Sequence, residues 1–247
     1  MCTVLFIPQD GKFFFASLRD ENPGRNKAMA PNIKKIGNSL VLAPVDPVAG
    51  GTWIGANDTG NVIVLLNGAF EKHERQIKYK KSRGLIVSEL LESDLPVLDW
   101  NLIDMEGIEP YTLVVWSEEK LFQLVWDGKN RHRLMLKLDQ SYIWSSSTLY
   151  SEEAKVHREE LFRNWIVMNP PISKLSLFNF FKQHSDNQNG FIMNRNELTK
   201  TLSFSLIEFQ PYSSAIMSYY DLCSYTYHNN SLELKGSVMG CNLNNSL

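Results

Sequence analysis

Cys2 stands directly behind Met1, and Met is generally removed before a residue as small as Cys, so the mature chain is expected to begin with a cysteine. A residue in that place carries a thiol nucleophile and an α-amino group of pKa about 8 on one carbon. The amine can take the thiol's proton, directly or through a water, so that one residue serves as both nucleophile and base. A chance cysteine opening a buried strand would look the same as a dipeptide. The residues that face Cys2 decide between the two.

Cys2-Thr3-Val4-Leu5-Phe6-Ile7-Pro8 reads as a strand, and Lys12 to Arg19 as a second. Between them Asp10-Gly11 is a two-residue type I′ hairpin signal. That loop pairs Gln9 with Lys12 and, counted back without a bulge, Cys2 with Arg19, their Cβ atoms roughly 5 Å apart. A guanidinium there favours thiolate over thiol and can also hold an anionic group of a substrate. Asp20 falls opposite the place of Met1, where its carboxylate could grip a new α-ammonium. Three chemical groups are thus expected to converge at one strand end. The plainer reading of Arg19-Asp20-Glu21 is a solvated strand exit.

The elements that position this strand end are legible too. One face of the hairpin carries Val4, Phe6, Phe13 and Phe15, and the other Leu5, Ile7, Phe14 and Leu18. A strand pair apolar on both sides belongs in the middle of a stack of layers. Further strands are predicted over Ser39–Val45, Thr52–Ala56, Val62–Asn67, Tyr111–Trp116, Leu121–Trp126, Arg133–Leu138, Ile143–Ser146, Leu202–Phe209 and Ala215–Leu222. A helix is predicted over Ser82–Leu91. Ser151 is a candidate N-cap, with Glu152 and Glu153 in the first turn. Its helix would run to about Val167, burying Ala154, Leu161, Trp165 and His157, with Pro170-Pro171 ending it. A second helix spans Ser173 to Gln183. Segments 22–38 and 70–81 read as loops, Ser185 to Gly190 as a polar loop, and the Asn-rich tail as frayed. The order fits an α+β fold, a four-layer αββα sandwich of two mainly antiparallel sheets, in one domain over residues 1–247.

Composition removes several functions. With 247 residues, 43% hydrophobic and 21% charged, the chain is of ordinary globular make-up, and a net charge of −2 gives no electrostatic footprint for nucleic acid. The basic run from Arg75 to Arg83 reads as a solvated loop. Cys2, Cys223 and Cys241 are three in number without metal spacing, which speaks against a disulfide framework and for a reducing, cytoplasmic compartment. No membrane span or secretory signal is read, and no metal or cofactor is expected. His73, His132, His157, His184 and His228 show no paired spacing. The expected partner is a small molecule; the oligomeric state stays open.

These residues together resemble the NRDE family, which includes the transport and Golgi organisation proteins and bacterial relatives. The resemblance rests on Met1-Cys2 before a strand, Ala16-Ser17-Leu18-Arg19-Asp20-Glu21-Asn22 at the family's Asn-Arg-Asp-Glu signature, and Gly50-Gly51-Thr52-Trp53-Ile54-Gly55. Gly60 to Asn67, Ser82-Arg83-Gly84 and Asn101-Leu102-Ile103 support it, and it is strongest over residues 1–165. The family is similar in turn to the choloylglycine hydrolase and acyl-amidase branch of N-terminal nucleophile enzymes. That resemblance implies Cys2 as nucleophile, Arg19 orienting its thiol, Asp20 or Glu21 assisting the α-amino group, and the Asn67 N–H in an oxyanion hole. Leu18 replaces the signature Asn. Ser147 falls where relatives carry an Asn of the oxyanion hole, and Lys200 near where they tend to carry an Arg.

Two functions follow as expectations. The first is a cysteine hydrolase of the C–N bond of a linear amide. The second is a non-catalytic binding or trafficking protein for a hydrophobic ligand of haem or acyl type, in an apolar pocket lined by Trp53 and Trp144. Resemblance supports the second as well, since family members are linked to haem handling and to lipid or coenzyme A homeostasis.

Overall fold

A computed structural model describes residues 3–74, 76, 78–168 and 171–236, so Met1, Cys2, Pro170 and Cys241 lie outside the described residues. The hairpin forms as its turn chemistry dictates. β1 (Thr3–Gln9) and β2 (Lys12–Glu21) pair without a bulge from Gln9↔Lys12 to Thr3↔Leu18. Asp10 (φ 52°) and Gly11 (φ 74°) both take the left-handed conformation of a type I′ turn.

Next come β3 (Met29–Ile36), β4 (Ser39–Val45), β5 (Ile54–Asn57) and β6 (Val62–Asn67), then α1 (Arg83–Leu91) and the short α2 (Pro96–Asp99). β7 (Tyr111–Ser117), β8 (Lys120–Trp126), β9 (Arg131–Leu136) and β10 (Tyr142–Ser145) follow, then α3 (Glu152–Val167) and α4 (Lys174–Gln183). The described part closes with β11 (Asn194–Arg195), β12 (Thr199–Gln210), β13 (Ser214–Asp221) and β14 (Thr226–Glu233).

These strands make two seven-stranded sheets. One runs β10-β1-β2-β12-β13-β14, with β11 paired to β12; the other runs β3 to β9 in chain order. Every ladder is antiparallel. The hairpin therefore occupies the middle of its sheet, and its two faces enter different cores. Val4, Phe6 and Phe15 join the apolar layer shared with β4–β8 and α1. Leu5, Ile7, Phe14 and Leu18 join Phe162, Leu177, Phe180 and Phe181 of α3 and α4. The result is the α+β, αββα sandwich expected from the sequence.

Two local expectations are corrected and one strand is added. The buried face of α3 is Ala154, Arg158 and Phe162, while His157 is exposed and Leu161 and Trp165 are half-buried. Within the supposed loop 22–38, Met29–Ile36 forms the edge strand β3; its Pro31, Lys34 and Lys35 are residues that edges tolerate. Beyond Leu222, where the strand pattern ends, Thr226–Glu233 forms the edge strand β14, and the Asn230 amide donates to the Pro31 carbonyl (2.8 Å), tying the edges of the two sheets together. Among the described residues no helix is long and apolar enough to cross a membrane.

Candidate active site

Arg19 and Asp20 end β2, and strand alternation sends them to opposite faces. Among the described residues Arg19 and Asp20 therefore sit in two clusters of partners, one on each side of the sheet. Arg19 faces the second sheet. Its side chain is 5% exposed, its Nη2 donates to Asp46 Oδ2 (3.1 Å), and its guanidinium lies 5.0 Å from the centroid of the Trp53 ring. Asp46 also receives Arg25 Nε (2.8 Å) on Oδ2 and the Val48 and Ala49 N–H groups on Oδ1. Burial pushes the Asp46 carboxyl up, but the bond from Arg25 and the two backbone donors outweigh it and hold it below the usual carboxylate range.

Asp20 faces the helices. β12 carries one extra residue between Thr201 and Ser203, which sets Thr201 rather than Leu202 opposite Asp20. Thr201 Oγ1 donates to Asp20 Oδ1 (2.6 Å) and the Tyr150 hydroxyl to Oδ2 (3.1 Å). Burial dominates here and raises the Asp20 carboxyl, although Thr201, Arg158 and Tyr150 pull it down.

Arg158 organises the space beside Asp20. It is 1% exposed and sandwiched between the rings of Tyr150 (4.2 Å) and Phe191 (4.1 Å). It donates to Ser145 Oγ (3.0 Å), to the Asn189 and Gly190 carbonyls (2.8 and 2.7 Å) and to Thr3 Oγ1. The residue that follows Cys2 is thereby anchored from the helix layer.

The second sheet brings Trp53, Asn67 and the start of α1 to Arg19. Gly51 and Gly84 make this possible: a Cβ on Gly51 would lie 2.2 Å from the Gly84 carbonyl carbon. Thr52 N–H also donates to the Gly84 carbonyl (3.1 Å). Arg19, Trp53, Asn67 and Arg83 consequently line one cavity of about 100 Å³. Arg83 also lines a larger neighbour of about 810 Å³, together with Asp20, Glu21, His73 and Glu109. There Arg83 pairs with Glu109 (3.0 Å), whose other oxygen meets His73 Nε2 (3.3 Å).

The other candidates line neither of these cavities, although Ser147 Oγ packs against Gly68, the neighbour of Asn67. Ser147 donates to the Glu71 carbonyl (3.1 Å) and lines a different cavity from Asn67. Lys200 pairs with Glu21 across the ladder and lines neither the Arg19 cavity nor its larger neighbour. Trp144 lines a separate cavity near Gln123, to which its Nε1 donates (2.8 Å). Trp53 and Trp144 thus line different cavities, although both pack in or against the apolar layer between the sheets. Cys2 is outside the described residues. Among these, no group of three or more His, Cys, Asp or Glu could hold a metal ion. Sequence reasoning missed Asp46, Arg83, Glu109, Thr201 and Arg158. Only the Gly50–Gly55 and Ser82–Gly84 blocks signalled part of this cluster.

The family profile described as Transport and Golgi organisation 2 matches residues 1–221. The chain belongs to that family. The match runs well past the stretch over which the motifs alone carried the resemblance. No curated protein matches this member in sequence. In structure, this member of the Transport and Golgi organisation 2 family is similar to a conjugated bile acid hydrolase variant from Clostridium perfringens, with 11% identity, TM-score 0.56, and 94% of this chain and 92% of that one covered. It is also similar to a Caenorhabditis elegans ortholog of N-acylethanolamine-hydrolyzing acid amidase (10%, TM-score 0.56, 83% and 92% covered). Penicillin V acylase from Agrobacterium tumefaciens is a third (11%, TM-score 0.55, 94% and 86% covered). This family member thus has the N-terminal nucleophile hydrolase-like fold of these three proteins.

Proposed function

We propose that this protein is a cysteine hydrolase that cleaves the C–N bond of a linear amide. The observation that carries the reading is Arg19: a buried guanidinium beside Asn67 in a cavity, one residue past the Thr3↔Leu18 pair. Continued by one position, that register would set Cys2 opposite Arg19, where the positive charge favours the thiolate.

With Cys2 as the first residue, its thiolate attacks the amide carbonyl and forms the C–S bond. The Asn67 N–H is the proposed donor to the resulting oxyanion, a role in which one donor contributes about 3–4 kcal/mol. The C–N bond then breaks, and the Cys2 ammonium supplies the proton that the departing amine needs. Water, deprotonated by the same amine, hydrolyses the thioester, releases the acid and restores the thiol. Asp20 and the Arg158 cluster hold the strand end from the other face. Ser147 and Lys200 are assigned no step; Ser147 would first have to leave the Glu71 carbonyl. Trp53 is proposed as the floor under Arg19 rather than as a ligand platform, and Trp144 as core.

The alternative, a binding protein for a flat apolar ligand of haem or acyl type, has less support, because the large cavity is walled by Asp20, Glu21, Lys72, Glu74, Arg83 and Glu109. A cytoplasmic location is part of the proposal and suits the exposed free thiol of Cys223. Intact mass with limiting iodoacetamide at neutral pH tests the nucleophile. Met1 should be absent and Cys2 should label far faster than Cys223, and Cys2→Ser should abolish amide turnover. Retained Met1, or Cys2 reacting as an ordinary thiol, would sink the reading.

A further inference from the structure

Three guanidinium groups, those of Arg19, Arg25 and Arg83, line the cavity of about 100 Å³, and among the described residues Asp46 is the single carboxylate in its wall. Asp46 is saturated, since it accepts from two guanidiniums and two backbone N–H groups. Arg83 is already neutralised by Glu109 from the neighbouring cavity. Arg25 also has Glu21 Oε2 at 4.0 Å, so Arg19, which shares its one Asp46 oxygen with Arg25, is the guanidinium with the fewest acceptors.

A guanidinium carries five N–H donors. Among the described residues Arg19 makes one hydrogen bond, to Asp46, with its side chain 5% exposed. Its remaining donors are not sealed in the core but open on the cavity, where they can meet an acceptor that enters it. The start of α1 adds to the field. The Ser82 side chain makes no capping bond, no acidic residue lies in the first turn, and the Gly51–Gly84 contact presses this end against the cavity.

We infer that this cavity binds an oxyanion carried by the substrate, a carboxylate or a phosphate, next to the amide to be cleaved. The identification of the substrate rests on the amide-hydrolase reading; the anion site itself does not. Asn67 lines the same small cavity, so the anionic group must lie within a few bonds of the scissile carbonyl. The space, about 100 Å³ and open on one side, is of the size of a small anionic group. The polar remainder of the molecule extends past Arg83 into the larger cavity.

The test is binding to the Cys2→Ala protein by titration calorimetry, with N-acetylglycine, inorganic phosphate and the uncharged N-acetylglycinamide as probes. One or both anions should bind, the amide should not, and the preferred anion tells carboxylate from phosphate. Arg25→Gln should weaken the bound anion about tenfold, as loss of a charged hydrogen bond does. Arg25→Lys should recover part of it. Arg25 is partly exposed (30% of its side chain), so neither variant should fail to fold. Anions that bind no better than N-acetylglycinamide, or an unchanged affinity in Arg25→Gln, would show that water alone fills the cavity. Because Cys2→Ala cannot turn over, the outcome is independent of hydrolysis. Anion binding together with an inert wild-type thiol would overturn the enzyme and leave the site standing.

Discussion

Arg158 and Asp20 place two ionisable groups in the interior within one network, and their substitution should be felt in different ways. Removing the Arg158 guanidinium leaves Thr3, Ser145 and the Asn189 and Gly190 carbonyls without their donor. At about 1–3 kcal/mol for each buried group left unsatisfied, Arg158→Met should lower unfolding free energy by more than about 3 kcal/mol in urea titrations. Asp20 titrates the other way round from most carboxylates. Its folded pKa is raised, so between its unfolded pKa and its folded one the native state holds the extra proton, and stability falls as pH rises through that window. Asp20→Asn lacks this slope. Its stability relative to wild type should improve from pH 4 to neutrality, whatever its fixed offset, as Tm measured across that range would record; a flat difference would remove the raised pKa. Ser147 yields a third residue-scale expectation. Its proton is committed to Glu71, so Ser147→Ala should cost less than about tenfold in kcat, whereas an oxyanion donor would cost about 10²–10³.

At the scale of elements, the site depends on how closely α1 approaches the loop before β5. Gly51→Ala forces a side-chain carbon into the Gly84 backbone, which cannot move without displacing the helix start. Overpacking of this kind costs about 1–3 kcal/mol and should also weaken anion binding, since Arg83 and Trp53 would separate. Gly11→Ala is the control. Its hairpin turn has open space around it and only a positive φ to accommodate, so it should lose about 1–2 kcal/mol with binding unchanged. The elements themselves were readable to different depths. Ser151 caps α3 as its residue type suggests, accepting from the Ala154 N–H (3.3 Å), and the start of α1 at Ser82 follows from its apolar spacing. β3 and β14 escaped because an edge strand has a single hydrogen-bonded neighbour and can carry Pro, Lys and Asn, so its sequence resembles a loop. The face of α3 was misjudged because a side chain as long as Arg158 can enter the interior only where carbonyls and aromatic rings from distant segments receive it.

At the scale of the whole molecule, the β1–β2 hairpin feeds two cores and ends where both sheets and the helix layer meet, which is why one strand end can be gripped from both sides. The sequence by itself determined the hairpin register, its two apolar faces, most strand and helix bounds, and Arg19 and Asp20 as the residues of interest. Each of these is set by turn chemistry or periodicity over a few neighbours. The tertiary structure alone decided which partners Arg19 and Asp20 meet on their two faces, and that Trp53 and Trp144 line separate cavities. It also brought Arg25, Asp46, Arg83 and Glu109 to the site. Those arrangements come from contacts between segments tens of residues apart, such as Gly51 against Gly84 and Thr3 against Arg158. Local periodicity does not encode such distances, because they follow from how the layers stack.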